Sequence, residues 1–160
     1  YFSHGAAELK SALALLEGAP KDNPVIVLGS RYQQQSKIVG WPASRRVFSR
    51  FANLLARTLI GNLVTDFTNG YRLYNRKTVD LILKAPQKYK GYIYLSEVLC
   101  ELVRNGAEIK EFATVFENRT RGVSNTTSKE VRQALGGIFT IAYDHRLKQL
   151  GLRPPSTLRE

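Results

Sequence analysis

Methionine is absent from the chain, and cysteine occurs once, as Cys100. A single cysteine excludes an internal disulfide and a cysteine-based zinc cluster. Histidine occurs twice, at His4 and His145, too far apart to read as a metal motif or as part of a supported catalytic triad. Acidic residues are scarce: 13 Asp and Glu stand against 24 Lys and Arg, and none lies between Asn23 and Thr65. No apolar run approaches the roughly 18 residues that a membrane-spanning helix needs. Residues 1–20 lack the basic start and apolar core of a secretory signal. The missing methionine and the opening Tyr1-Phe2-Ser3-His4 lead us to expect a piece of a longer protein.

The 160 residues, 43% of them hydrophobic, suffice for one compact domain or most of one. A chain of this size hides roughly 70% of its unfolded surface, and the apolar content excludes low-complexity disorder. The net charge of +11 favours an anionic partner. Nucleic acid, acidic lipid headgroups and phosphorylated small molecules all qualify, and charge does not choose among them.

Residues 6–16 are rich in Ala and Leu and read as a helix; a turn cluster from Gly18 to Pro24 follows. Val25 to Leu28 is a β-branched apolar run, expected as a buried strand ending at Gly29-Ser30-Arg31-Tyr32. Residues 33–40 read as a polar loop. Pro42 opens a helix to about Ile60. Its Val47, Phe48, Phe51, Leu54, Leu55, Thr58 and Leu59 share one face; Arg46, Arg50, Asn53 and Arg57 share the other. Residues 71–74 read as a strand, 76–84 and 95–105 as helices, and 108–116 as one strand, straight or bent. Residues 117–127 form a polar loop. Thr127 and Glu130 suggest a capping box for a last helix reaching Leu150. The mixed order of strands and helices predicts an α/β fold over residues 1–150, with 151–160 as a tail.

Four segments can carry chemistry. Gly29 to Tyr32 closes a strand, where open α/β sheets bind ligands; Arg31 offers a forked donor for phosphate, or is a solvated arginine. The acid-free stretch holds Arg31, Lys37, Arg45, Arg46, Arg50 and Arg57, with Trp41 just before the amphipathic helix. That composition suits a membrane interface with anionic headgroups, a nucleic-acid surface, or a plain core helix with a charged outer face. Asp66 to Arg72 can hold a turn through a buried Asp–Arg pair. Phe116 to Ser124, with Arg119 and Arg121, can fold over a phosphate or stay a solvated loop. Glu97 and Glu101 lie one turn apart as potential acid–base groups, or as a solvated helix face.

Taken together, these segments resemble the second half of a family 2 glycosyltransferase of the dolichyl-phosphate (polyprenyl-phosphate) mannosyltransferase type. The family's G-[ST]-R-Y is matched by Gly29 to Tyr32. Its tryptophan, with arginine four residues on and serine eight residues on, is matched by Trp41, Arg45 and Ser49. Its S-[RK]-x-[AG]-N is matched by Ser49 to Asn53. Its D-x-T-S-G-[FY]-R corresponds to Asp66–Arg72 with Asn69 for serine, and its G-Y-x-[FY]-x-x-E to Gly91–Glu97. Its F-x-x-R-x-x-G-x-S-K corresponds to Phe116–Asn125. Six motifs in the family's order cover about residues 1 to 140.

The resemblance implies the C-terminal portion of a GT-A fold, with the nucleotide-binding half outside the chain. It implies an inverting transfer of mannose from GDP-mannose to dolichyl or polyprenyl phosphate, with Mg²⁺ or Mn²⁺. It implies the cytoplasmic face of a membrane, and a membrane-anchoring subunit as a further partner. Arg31, Arg45, Ser49 and Arg119 would hold the acceptor phosphate and neighbouring charge. Gly29, Ser30, Tyr32, Trp41, Asp66, Arg72, Glu97 and Ser124 would line the substrate site, and Ser3 would assist the metal. Three departures stand out. Tyr1 falls where the second aspartate of the family's D-x-D motif is expected. Gln33-Gln34-Gln35 replaces paired glycines, and Asn125 replaces a lysine. These leave open transfer of another, glucose-type sugar, or a non-catalytic paralogue. The 160 residues alone are expected to be inactive. A nucleic-acid module is the reading from a different class, and no helix-turn-helix, zinc or RNA-binding signature supports it.

Overall fold

The computed structural model describes residues 5–85, 88–118 and 128–152. Its elements are α1 (Ala6–Glu17), β1 (Val25–Ser30), β2 (Lys37–Val39), α2 (Ala43–Leu59) and β3 (Arg72–Tyr74), then α3 (Arg76–Lys84), α4 (Tyr92–Arg104), β4 (Glu108–Ala113), β5 (Val115–Glu117) and α5 (Ser128–Gln149). The fold is mixed α/β, as expected.

The centre is β1, flanked by β3 and β4. It pairs antiparallel with β3, Val27 facing Leu73, and parallel with β4, Val27 facing Lys110. All six residues of β1 are buried, which is why it reads as a continuous apolar run rather than an alternating one. Alternation survives in where the side chains go. Val27 joins Ala12 and Phe112 under α1, whereas Ile26 joins the larger core built from Ala56, Phe67, Leu99 and Ile141 beneath α2, α4 and α5.

Local signals explain most boundaries. Asn75 caps α3 by accepting from the Thr78 amide at 3.0 Å. Gly91 and Gly106 adopt positive φ on either side of α4, a conformation with little cost for glycine alone. Gly91 lets α4 begin at Tyr92, three residues before the expected start.

Two expectations change. The polar segment 33–40 contains β2, which pairs in parallel with β5, Ile38 facing Phe116. The single strand expected over 108–116 is two strands that leave the main sheet at Thr114. There Thr114 donates its amide to Ser30 and accepts from Lys37, while its hydroxyl bonds the Glu8 carboxylate. Val115 donates its amide to the same carboxylate at 2.7 Å. Glu8 thus pins the point where the chain changes sheets. Thr127 of the expected capping box lies outside the described residues.

Candidate functional site

The carboxyl end of β1 gathers most of the predicted site. Gly29 needs its missing side chain for packing: a Cβ there would stand 3.1 Å from the Tyr71 ring and 3.2 Å from the Phe112 ring. Its carbonyl accepts from the Asn69 side-chain amide at 2.6 Å. The Ser30 hydroxyl shares a 2.6 Å hydrogen bond with Thr65 and accepts from the Tyr32 amide. Thr65 in turn donates amide and hydroxyl to Glu111.

Arg31 forms the buried pair of the site. Its Nε donates to Asp66 Oδ2 at 2.7 Å and one Nη to Asp66 Oδ1 at 2.9 Å, with a further bond to Thr68. The Arg31 amide also donates to Asp66. Burial alone would raise the Asp66 carboxyl pKa. The hydrogen bonds and charge of Arg31 outweigh that and hold it below its usual value. The Asp–Arg pair expected inside the 66–72 segment is therefore formed with Arg31 instead. Arg72 spends its guanidinium on the carbonyls of Phe67, Asn69 and Leu95, closing the 66–70 turn against α4.

Trp41 is the hub. It is buried, lies edge-to-face on Phe116 with centroids 5.2 Å apart, and carries two guanidinium groups on its ring. Arg45 stacks 4.2 Å from the ring centroid and Arg31 5.1 Å, within cation–π range. The indole N–H is buried without a partner. Arg45 also makes a long 3.4 Å contact with Asn118. Among the described residues no carboxylate pairs with it, in contrast to Arg31.

One turn along α2, Ser49 accepts from the Tyr32 hydroxyl at 2.6 Å. Burial raises the pKa of that phenol, while the Ser49 bond and the Arg31 charge oppose the rise. The serine's own proton is thus left to donate outward. Asn53 fastens the helix to the turn: its carbonyl accepts from the Phe67 amide at 2.7 Å, and its amide reaches the Ser49 carbonyl and Thr68.

The structure therefore brings together Gly29, Ser30, Arg31, Tyr32, Trp41, Arg45, Ser49 and Asp66. Glu97 has other work, accepting from the Lys88 and Tyr89 amides ahead of α4. Ser3, Arg119 and Ser124 lie outside the described residues. Asn53, Thr65, Thr68 and Glu111 belong to the network without having been expected in the site. For Asn53 and Thr68 the signal was their place in the matched segments Ser49–Asn53 and Asp66–Arg72. Among the described residues no group of three or more His, Cys, Asp or Glu side chains could hold a metal ion.

A half-buried arginine with no carboxylate partner among the described residues and a half-buried serine, one helical turn apart, suit an anionic oxygen ligand. The chain is homologous to mannosyltransferases that act on polyprenyl phosphates, and the resemblance read from its motifs is borne out. A polyprenol monophosphomannose synthase of Mycolicibacterium smegmatis is 30% identical over 133 residues, covering 83% of this chain and 49% of that protein. An undecaprenyl-phosphate mannosyltransferase of Micrococcus luteus is 33% identical over 110 residues, covering 69% of this chain and 45% of that protein. The chain thus spans about half the length of the curated relatives it matches. No family model matches it.

Proposed function

We propose that the full-length protein transfers mannose from GDP-mannose to a polyprenyl phosphate with inversion, on a GT-A fold. The observation that carries this reading is the Arg45–Ser49 pair, open to an anion beside the fully engaged Arg31–Asp66 pair. In the reaction, an acceptor phosphate oxygen bonds to the anomeric carbon as the bond from that carbon to the nucleoside diphosphate breaks. The acceptor oxygen is already anionic near neutral pH, so no strong general base is needed. Positioning and charge stabilisation carry the catalysis.

In this reading Arg45 holds the phosphate by its guanidinium fork and Ser49 donates the proton that Tyr32 leaves free. Arg31 is a positioning residue: its donors go to Asp66 and Thr68, and its charge supports the Trp41 platform. Arg119 would add a further phosphate contact, and Ser124 would line the substrate site. The transfer would also take a divalent cation, and no group of described side chains would hold one. The cytoplasmic face of a membrane and an anchoring subunit complete the reading.

The test is transfer of labelled mannose from GDP-mannose to polyprenyl phosphate by the full-length protein. Label in the lipid fraction is expected. Label only from another nucleotide sugar would overturn the donor, and no lipid label from any donor would overturn the transferase.

A further inference from the structure

The tryptophan ring on which Arg45 lies is carried by a sheet too small to hold itself. β2 and β5 are three residues each and form a two-stranded parallel sheet. Parallel pairing is the weaker arrangement per residue, and two strands alone are marginal in water. Trp41 follows β2 by two residues and packs against Phe116 of β5 with ring centroids 5.2 Å apart. Asn118 closes one end of this sheet, donating its backbone amide to the Val39 carbonyl at 3.0 Å and its side-chain amide to the Gly40 carbonyl at 3.2 Å. The other end rests on Thr114, whose carbonyl accepts from the Lys37 amide and whose amide donates to the Ser30 carbonyl.

Glu8 grips that second end from the far side of the sequence. Its carboxylate accepts from the Thr114 hydroxyl and, at 2.7 Å, from the amide of Val115, the first residue of β5. These partners lie 106 and 107 positions away. Hydrogen bonds to a carboxylate are roughly twice as strong as those between neutral groups, and Glu8 is half-buried. The helix that presents it is seated independently: Ala12 packs with Val27 and Phe112, and Leu15 and Leu16 border the same cluster. A helix held by its own core thus delivers one carboxylate to the point from which β5 departs.

We propose that Glu8 is a positioning residue for the acceptor. By fixing the β4–β5 junction it sets Phe116, then the Trp41 ring, and then the Arg45 guanidinium stacked 4.2 Å from that ring. The proposal rests on the reading that Arg45 holds the acceptor phosphate, and Glu8 lies outside all six motifs of the sequence. The Ser49 side of the site has other supports: Tyr32 bonds its hydroxyl, and Asn53 ties its carbonyl to the Phe67 amide. Loss of Glu8 therefore loosens the Arg45 side and leaves the Ser49 side in place.

The test uses the full-length protein with Glu8→Ala, Glu8→Gln and, as an exposed control on the same helix, Glu17→Ala. Hydrogen exchange read by mass spectrometry should quicken in peptides spanning 37–41 and 115–118 of Glu8→Ala by about tenfold or more, the factor for one lost charge-assisted bond. Peptides spanning 25–30 should keep the parent rate, and Glu17→Ala should match the parent throughout. Binding of farnesyl phosphate, a short prenyl phosphate, should weaken several-fold in Glu8→Ala. Glu8→Gln should recover most of both effects, because its carbonyl accepts from Val115 and its amide donates to Thr114. With Arg45→Ala already in place, Glu8→Ala should weaken binding little further, since the support then has no guanidinium to place. Parent exchange rates at 37–41 and 115–118 in Glu8→Ala would overturn the proposal. So would faster exchange at 25–30 as well, which marks general loosening. Equal binding losses with and without Arg45 would also overturn it, because Glu8 then acts by another route. A parent that does not bind farnesyl phosphate sinks the proposal together with the acceptor assignment. Binding that weakens in Glu8→Ala, in a protein that transfers no sugar, upholds the role of Glu8 and overturns only the transfer.

Discussion

Two arginines four to five ångströms from one tryptophan ring have opposite fates. Arg31 is 5.1 Å from the Trp41 ring centroid and its side chain is 7% exposed, paired through two bonds to a fully buried aspartate. Arg45, 4.2 Å from the same ring, keeps its charge uncompensated by any described carboxylate. The difference lies in the reach of the backbone: Arg31 follows β1 directly over the 66–70 turn, whereas Arg45 leaves the first turn of α2. Removing one member of a buried ion pair strands the other, at a cost of about 3–5 kcal/mol. Asp66→Asn should therefore lower thermal stability sharply, and an Arg31→Met, Asp66→Leu double substitution should recover part of that loss. Thermal unfolding of the three proteins measures it. A single variant as stable as the parent would show that the pair holds nothing together.

At the scale of elements, α4 and α5 meet around a buried polar cluster. Arg104 bonds Glu101 and donates to His145 Nδ1 at 3.1 Å, so the imidazole proton sits on Nε2, which has no partner. Burial first, and then the positive charge of Arg104, push the His145 pKa below its ordinary 6.5; Lys148 and Arg146 add to this and Asp144 opposes it. The unfolded chain takes up a proton near pH 6.5 and the folded one does not. Stability present above pH 6.5 is therefore lost as pH falls from there toward the folded pKa. Urea midpoints between pH 8 and 5.5 should show this fall, and His145→Gln should flatten it. An unchanged slope in the variant would assign the pH dependence to other groups.

The same scale shows how much the sequence discloses. The β-branched run at Val25–Leu28 announces β1, and Pro42 announces the start of α2 within a residue. The 3.6-residue period of α2 correctly groups Val47, Phe51 and Leu54. Periodicity cannot say what covers a stripe, and here nothing in the described chain does. β2 was illegible because it is three residues long and exists only through pairing with β5 across more than 70 positions; 115–116 were legible as strand, but not their separation from β4. Arg31 was legible as a site residue by its motif. Its partner was not, because Asp66 lies 35 residues away and Arg72 was nearer in sequence.

For the whole molecule, the surplus of +11 is spent unevenly. Arg31 and Arg72 are internal struts, satisfied by Asp66 and by carbonyls. Arg45, Arg46 and Arg50 stand on α2 with no carboxylate partner among the described residues; Arg46 donates to the Ile38 carbonyl and Arg45 reaches Asn118. In the proposed transfer, Arg45 is the cation that would hold the acceptor. The most direct measurement compares Arg45→Ala with Arg76→Ala, an exposed arginine on α3, for acceptor dependence of transfer in detergent. A charge-assisted bond to phosphate is worth about 1.5–3 kcal/mol, or roughly 10- to 150-fold. Arg45→Ala should lose that much in kcat/KM for polyprenyl phosphate, with little change in Tm or in the KM for the sugar donor. Arg45→Lys should recover only part, because an ammonium lacks the fork. Arg76→Ala should stay near the parent value. Equal losses in the Arg45 and Arg76 variants would contradict the account, since bulk charge rather than a site on α2 would then be binding the acceptor.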